Sequence, residues 1–191
     1  MAILPIVSIG NPVLRERSRE VALDELASAS MQAFIDDLVA TMVHANGAGL
    51  AAPQVAKPVR ICAIWVKDNP RYPYKPNWPL TILVNPVLTP LSGEEFVNYE
   101  GCLSVPNLRG EVKRFAELRV DALDRQGNAL SYEVRGLTAG TFQHECDHLD
   151  GKVFLDRVFD TTSLATWAEF EAHKLEGFAA RARGIVERWG S

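Results

Sequence analysis

Three cysteines in 191 residues are too few, and odd in number, to staple a secreted disulfide scaffold, so each thiol has to be read as core filler, nucleophile or metal ligand. The chain has no uninterrupted apolar stretch of the roughly 18 residues that a membrane-spanning helix needs. Its start, Met1 to Glu20, carries no basic region leading into an apolar one. These absences predict a cytoplasmic protein with no membrane partner. There is no positive excess either: 20 Lys and Arg stand against 24 Asp and Glu, a formal net charge of −4, so no whole-molecule basic field exists to grip DNA. Internal repeats and low-complexity tracts are missing. What remains, 47% hydrophobic and 23% charged, is the composition of an ordinary globular chain, and its length predicts one domain over residues 1–191.

Met31, Phe34, Ile35, Leu38, Val39, Met42 and Val43 recur at i, i+3, i+4 spacing, which predicts an N-terminal amphipathic helix capped by Ser28 or Ser30 and stopped at Asn46-Gly47. Arg60 to Val66 and Thr81 to Val84 are short apolar runs that read as buried strands. Between them Lys67 to Pro79 holds four prolines, which predicts an exposed excursion without regular structure. Leu118, Val120 and Ala122, then Leu130, Tyr132 and Val134, alternate with polar residues around an Arg-Gln-Gly-Asn turn, the pattern of an antiparallel hairpin. From Ser163 to Trp189 the apolar residues fall near one helical face, predicting a long C-terminal helix interrupted only by Gly177 and Gly184. Strands without regular βαβ alternation give an α+β fold, antiparallel strands packed around a central helix.

That central helix holds the chemistry. His144-Glu145-Cys146-Asp147-His148 puts two imidazoles four residues apart, within roughly 40° of each other on one helix face. Glu145 flanks that face, as suits a general base acting on metal-bound water. Asp147 and Asp150 are candidates to orient the imidazoles, and Gly151 to end the helix. A catalytic metal needs a third protein ligand. Glu169, Glu171, His173 and Glu176 are available downstream, as in zinc peptidases with HExxH, and Cys102 upstream in Glu100-Gly101-Cys102-Leu103-Ser104. Cys146 faces round the helix from His144, and Cys62 lies in an apolar strand run as core filler. His44 and His173 lack such company.

Gly47-Ala48-Gly49-Leu50-Ala51-Ala52-Pro53-Gln54 permits close backbone approach, and the Gln54 amide after a rigid proline can hold a developing oxyanion. Gly140, one turn before His144, either leaves room for a substrate side chain in an apolar pocket or lets the helix pack closely on a sheet.

Together GAGLAAPQ (47–54), EGCLS (100–104) and QHECDHLDG (143–151) resemble the three signature motifs of the peptide deformylases. The resemblance implies metal ligation by Cys102, His144 and His148 with a water in the fourth position, and Glu145 as proton shuttle. It implies that the Gln54 amide and the Leu103 backbone N–H stabilise the oxyanion, and that Ala48, Gly49 and Gly101 pair with the substrate main chain. The implied substrate is an N-formyl-methionyl nascent peptide. The implied cofactor is one Fe2+ per chain, replaceable by Ni2+, Co2+ or Zn2+. The alternative reading is an HExxH zinc peptidase cutting internal bonds. Lys174 to Trp189 carries four basic residues against two acidic ones, which offers weak attraction to the ribosome or simply a solvated face.

Overall fold

The computed structural model describes residues 1–68 and 74–190. After a short helix α1 (Leu23–Leu26), helix α2 (Ala29–His44) begins at Ser28, whose hydroxyl accepts from Met31 N at 3.2 Å. Seven strands follow, β1 (Gly49–Ala51), β2 (Ile61–Val66), β3 (Trp78–Pro90), β4 (Glu95–Cys102), β5 (Val105–Phe115), β6 (Glu117–Leu123) and β7 (Ala129–Arg135), then helices α3 (Gly136–Leu149), α4 (Trp167–His173) and α5 (Leu175–Trp189). β1, β2, β3, β6 and β7 form one antiparallel sheet in that order, while β4 and β5 pair with each other. The fold is therefore mixed α and β with antiparallel sheets.

β2 shows why both helices hold their places. Its alternate side chains point to opposite faces: Ile61 and Ala63 pack with Met31, Ile35, Leu38 and Met42 of α2, whereas Cys62 and Ile64 pack with Ala139, Phe142 and Leu149 of α3. A strand covered on both faces reads as a continuous apolar run. On its other side α3 meets β4, because Gly140 brings the helix close: an added Cβ would lie 3.2 Å from Phe96 Cζ and 3.3 Å from Asn98 Nδ2. α3 thus lies between the two sheets.

Three expectations are corrected. The strand expected at Thr81–Val84 runs from Trp78 to Pro90. Its prolines fall where the ladder is irregular or ends: Pro79 beside the register shift between Ile64 and Val66, Pro86 within the shift between Val84 and Val87, and Pro90 at the last pair. The Lys67–Pro79 excursion is accordingly shorter and not simply exposed. Tyr74 packs edge-on against Phe178 and Lys75 is half-buried; the part at 69–73 lies outside the described residues. The C-terminal helix is not continuous either. It breaks at Lys174, not at the glycines, and the break lets Phe170 and Phe178 both reach Tyr99.

Candidate metal centre and its cavity

α3 presents His144 and His148 one turn apart, and the last residue of β4, Cys102, meets them where the β4–β5 register shifts. Cys102 Sγ lies 3.2 Å from His148 Nε2, and one ligand atom from each of the three residues lies within 4.8 Å of the others. The downstream alternatives do not join this cluster: the exposed side chains of Glu169 and His173 face each other on α4 at 3.4 Å. His44 is exposed and Cys62 is buried in the core. Cys146 turns away from the cluster towards Cys62.

Burial alone would raise the Cys102 thiol, but the adjacent imidazoles of His148 and His144 outweigh it and hold the group well below the usual thiol range. Gln54 Nε2 and Ser104 N both donate to Cys102 Sγ at 3.4 Å. Gln54 sits in the 3-10 turn Ala52–Val55 after β1, and its Oε1 accepts from Ala51 N at 2.9 Å, which aims the Nε2 end at the cluster.

The carboxylate that orients an imidazole is Glu100, not the expected Asp147 or Asp150. Glu100 Oε2 accepts from His144 Nδ1 at 2.8 Å, while Arg114 donates to Oε1 at 2.9 Å and to Oε2 at 2.8 Å. Burial opposes the charge on Glu100, yet Arg114 and His144 hold it well below the usual carboxylate range. His144 moves the other way: burial would lower it, and its bonds to Cys102 and Glu100 raise it well above normal. Asp147 serves Arg114 and Arg157 at 2.6 and 2.7 Å, and Asp150 serves Arg60 at 2.7 Å. The signal for Glu100 was present in the sequence, since Glu100 and Cys102 are two apart on a strand and share a face.

Glu145 is buried, its Oε2 has no hydrogen-bond partner among the described residues, and burial pushes its carboxyl up. Gly49 packs under it, so that an added Cβ would lie 2.7 Å from Glu145 Cγ. Gly49, Gly101, Leu103, Gly140, Ala48 and Gln54 all line the cavity of about 40 Å³ that contains Cys102, His144 and Glu145. β1 is an edge strand with one side open to this cavity, although the Ala48 carbonyl is already taken by Trp65 N at 3.0 Å. The wall beside Gly140 is polar where an apolar pocket was expected: Asn98, Thr141 and Lys75 line it. Lys75 and Arg109 also line the cavity and were missed by sequence reasoning; Lys75 falls in the excursion that was expected to be exposed.

Residues 3–163 match the family described as polypeptide deformylase. The chain is 42% identical to peptide deformylase 1 of Prochlorococcus marinus over 192 residues, covering 100% of this chain and 94% of that one. It is 41% identical to peptide deformylase 2 of Nostoc sp. over 169 residues, 88% and 93% of the respective chains. Among solved structures, the Met-Ala-Ser-bound class I type b peptide deformylase of Acinetobacter baumannii superposes with a TM-score of 0.79 at 37% identity, covering 82% of this chain and 99% of that one.

Proposed function

The chain belongs to the polypeptide deformylase family, and from that premise we propose how its residues carry out the activity of a peptide deformylase, a hydrolase that removes the N-terminal formyl group from nascent peptides. Residues 1–191 act as one catalytic domain whose HExxH helix holds the metal. The reading rests on one observation: a buried thiol of lowered pKa and two imidazoles converge in a cavity beside a buried carboxylate oxygen with no partner among the described residues.

The family is metal-dependent, and a sulfur with two ring nitrogens is a donor set for a first-row transition ion rather than for Mg2+ or Ca2+. Cys102, His144 and His148 hold it. The ion is Fe2+, exchangeable for Ni2+, Co2+ or Zn2+; metal analysis of protein purified without oxygen tests that identity. Such an ion supplies Lewis acidity at the formyl carbonyl and acidifies the attacking water.

Glu145 takes the water's proton and returns it to the amine nitrogen as the formyl C–N bond breaks, releasing formate. Its buried Oε2, and the upward push that burial gives its carboxyl, suit a group that must both take and give a proton. The Gln54 Nε2, aimed by the Ala51 bond, and the Leu103 N–H donate to the oxygen that gains charge at the formyl carbon. The peptide main chain lies along Ala48 and Gly49 at the open edge of β1 and against Gly101, and the formyl-methionyl side chain lies beside Gly140.

Turnover of a formyl-methionyl dipeptide tests the reading. Wild type is expected to release formate, and Glu145→Ala to keep its metal while losing turnover by about 10²-fold or more. An active Glu145→Ala variant contradicts the proton role, and an inactive metal-loaded wild type contradicts the activity.

The cellular setting is cytoplasmic, beside the ribosome that supplies the substrate; no helix among the described residues is long and apolar enough to cross a membrane. Contact through α5 has little charge to draw on, since Arg181 and Arg188 already pair with Glu111 and Glu94 at 2.6 and 2.7 Å. Salt-dependent co-sedimentation with ribosomes is its test, and absence of binding at low salt overturns it.

A further inference from the structure

The side chains of β4 alternate between two faces. Phe96 and Asn98 meet α3 at Gly140, and Glu100 and Cys102 follow on that side, against His144 and His148. Tyr99 and Gly101 belong to the opposite face, where Tyr99 packs on Phe170 of α4 and Phe178 of α5. Arg109 stands opposite Gly101 in the β4–β5 register, and its Cζ lies 4.3 Å from the ring centroids of both Trp167 and Phe170. A second cavity, of about 170 Å³, is lined here by Val105, Leu108 and Trp167, and it shares Gly101, Cys102 and Arg109 with the catalytic cavity. Asn107 lines it too, but its Oδ1 already accepts from Trp167 N at 3.1 Å.

Among the described residues β4 pairs with β5 alone, so a peptide lying against Gly101 does so as an extended strand at the other edge of β4. The side chains of such a strand alternate as those of β4 do. With the formylated residue beside Gly140 on the α3 face, the side chain of the next residue points to the Tyr99–Gly101 face. Gly101 sets no side chain in its way there, and Val105, Leu108 and the Trp167 ring give the cavity apolar walls. Against those walls an apolar side chain gains by leaving water, whereas a polar one of the same shape gives up hydrogen bonds. We propose that Trp167, which lies beyond the family match at 3–163, is a specificity-determining residue. With Val105 and Leu108 it makes this cavity the seat of the substrate's second side chain and favours an apolar one, such as leucine, over a polar one of the same shape. The proposal rests on the deformylase reading of the site.

The test compares kcat/KM for formyl-methionyl-leucyl-alanine and formyl-methionyl-asparaginyl-alanine, whose second side chains have nearly the same shape, in metal-loaded wild type, Trp167→Ala and Trp167→Phe. Wild type is expected to favour the leucyl peptide by about tenfold. That ratio should fall by about threefold or more in Trp167→Ala, mainly through KM, and be largely kept in Trp167→Phe, which still offers a ring. Trp167→Gln carries the same expectation as Trp167→Ala should the alanine variant not fold. A merely structural role for Trp167 would slow both peptides alike and leave the ratio unmoved, which overturns the proposal. A wild type that treats the two peptides equally, or favours asparagine, overturns it as well. Failure of the underlying reading looks different: wild type would then turn over neither peptide.

Discussion

Glu145, the proposed proton carrier, is held in place by the absence of another side chain. Gly49 lies flat beneath Glu145, and any Cβ there would overlap the carboxylate arm. Gly49→Ala is therefore expected to push Glu145 off its position and lower turnover by about tenfold or more, because misplacing a reacting group is costly. Metal content should be unchanged, since no ligand is touched; full activity in Gly49→Ala contradicts the placement. Lys75 gives a second outcome at this scale. Its folded pKa of about 8 lies below the roughly 10.4 of an unfolded lysine. Below about pH 8 both states are charged and the cost of burying the ammonium is fully present. Between about 8 and 10.4 the folded state releases its proton first, so the unfolded state holds more protons and stability rises with pH. Urea unfolding of wild type and Lys75→Met at about pH 7.5 and 9.5 should show the difference moving in favour of wild type. A constant difference contradicts the buried ammonium.

Among the elements, α3 is tied to β4 and β5 by one buried guanidinium. Arg114 on β5 bridges Glu100 on β4 and Asp147 on α3, and all three are nearly enclosed. Replacing it with leucine leaves Glu100 with only His144, and Asp147 with only the partly exposed Arg157, as charged partners. Arg114→Leu is thus expected to cost about 3–5 kcal/mol in urea unfolding, and a loss below about 1 kcal/mol means that the bridge contributes no more than an exposed pair. This tie was not legible in the sequence, because it joins residues from three separate segments. The elements themselves were legible where period and caps agreed, as in α2 with its Ser28 cap and in the β6–β7 hairpin. They were misread where a local rule met a tertiary exception. Proline marks an end of β3 only if the ladder is regular there, and glycine breaks the C-terminal helix only if no aromatic packing favours a break elsewhere. Gly177 and Gly184 remain inside α5, where an added Cβ would meet nothing.

At the scale of the molecule, the centre depends on two layers meeting. Cys102 and His148 lie 46 residues apart and touch only because α3 lies against β4 while also covering the five-stranded sheet. Residues beyond the family match at 3–163 pack on Arg109, which lines the cavity: Ala165 bridges it, and Trp167 and Phe170 each stack on its guanidinium at 4.3 Å. Helix spacing made the His144–His148 pair and Glu145 readable as candidates, while Cys102 entered as the proposed third ligand through the family resemblance of the three motifs. The Gly49 contact with Glu145 and the Lys75 bond to Thr141 arise only when distant segments pack. X-ray absorption on the protein reconstituted with one equivalent of zinc tests the central claim most directly. The account predicts one sulfur at about 2.3 Å and two imidazole nitrogens at about 2.0–2.1 Å, with the sulfur lost in Cys102→Ser. A first shell of nitrogen and oxygen alone in wild type would contradict it.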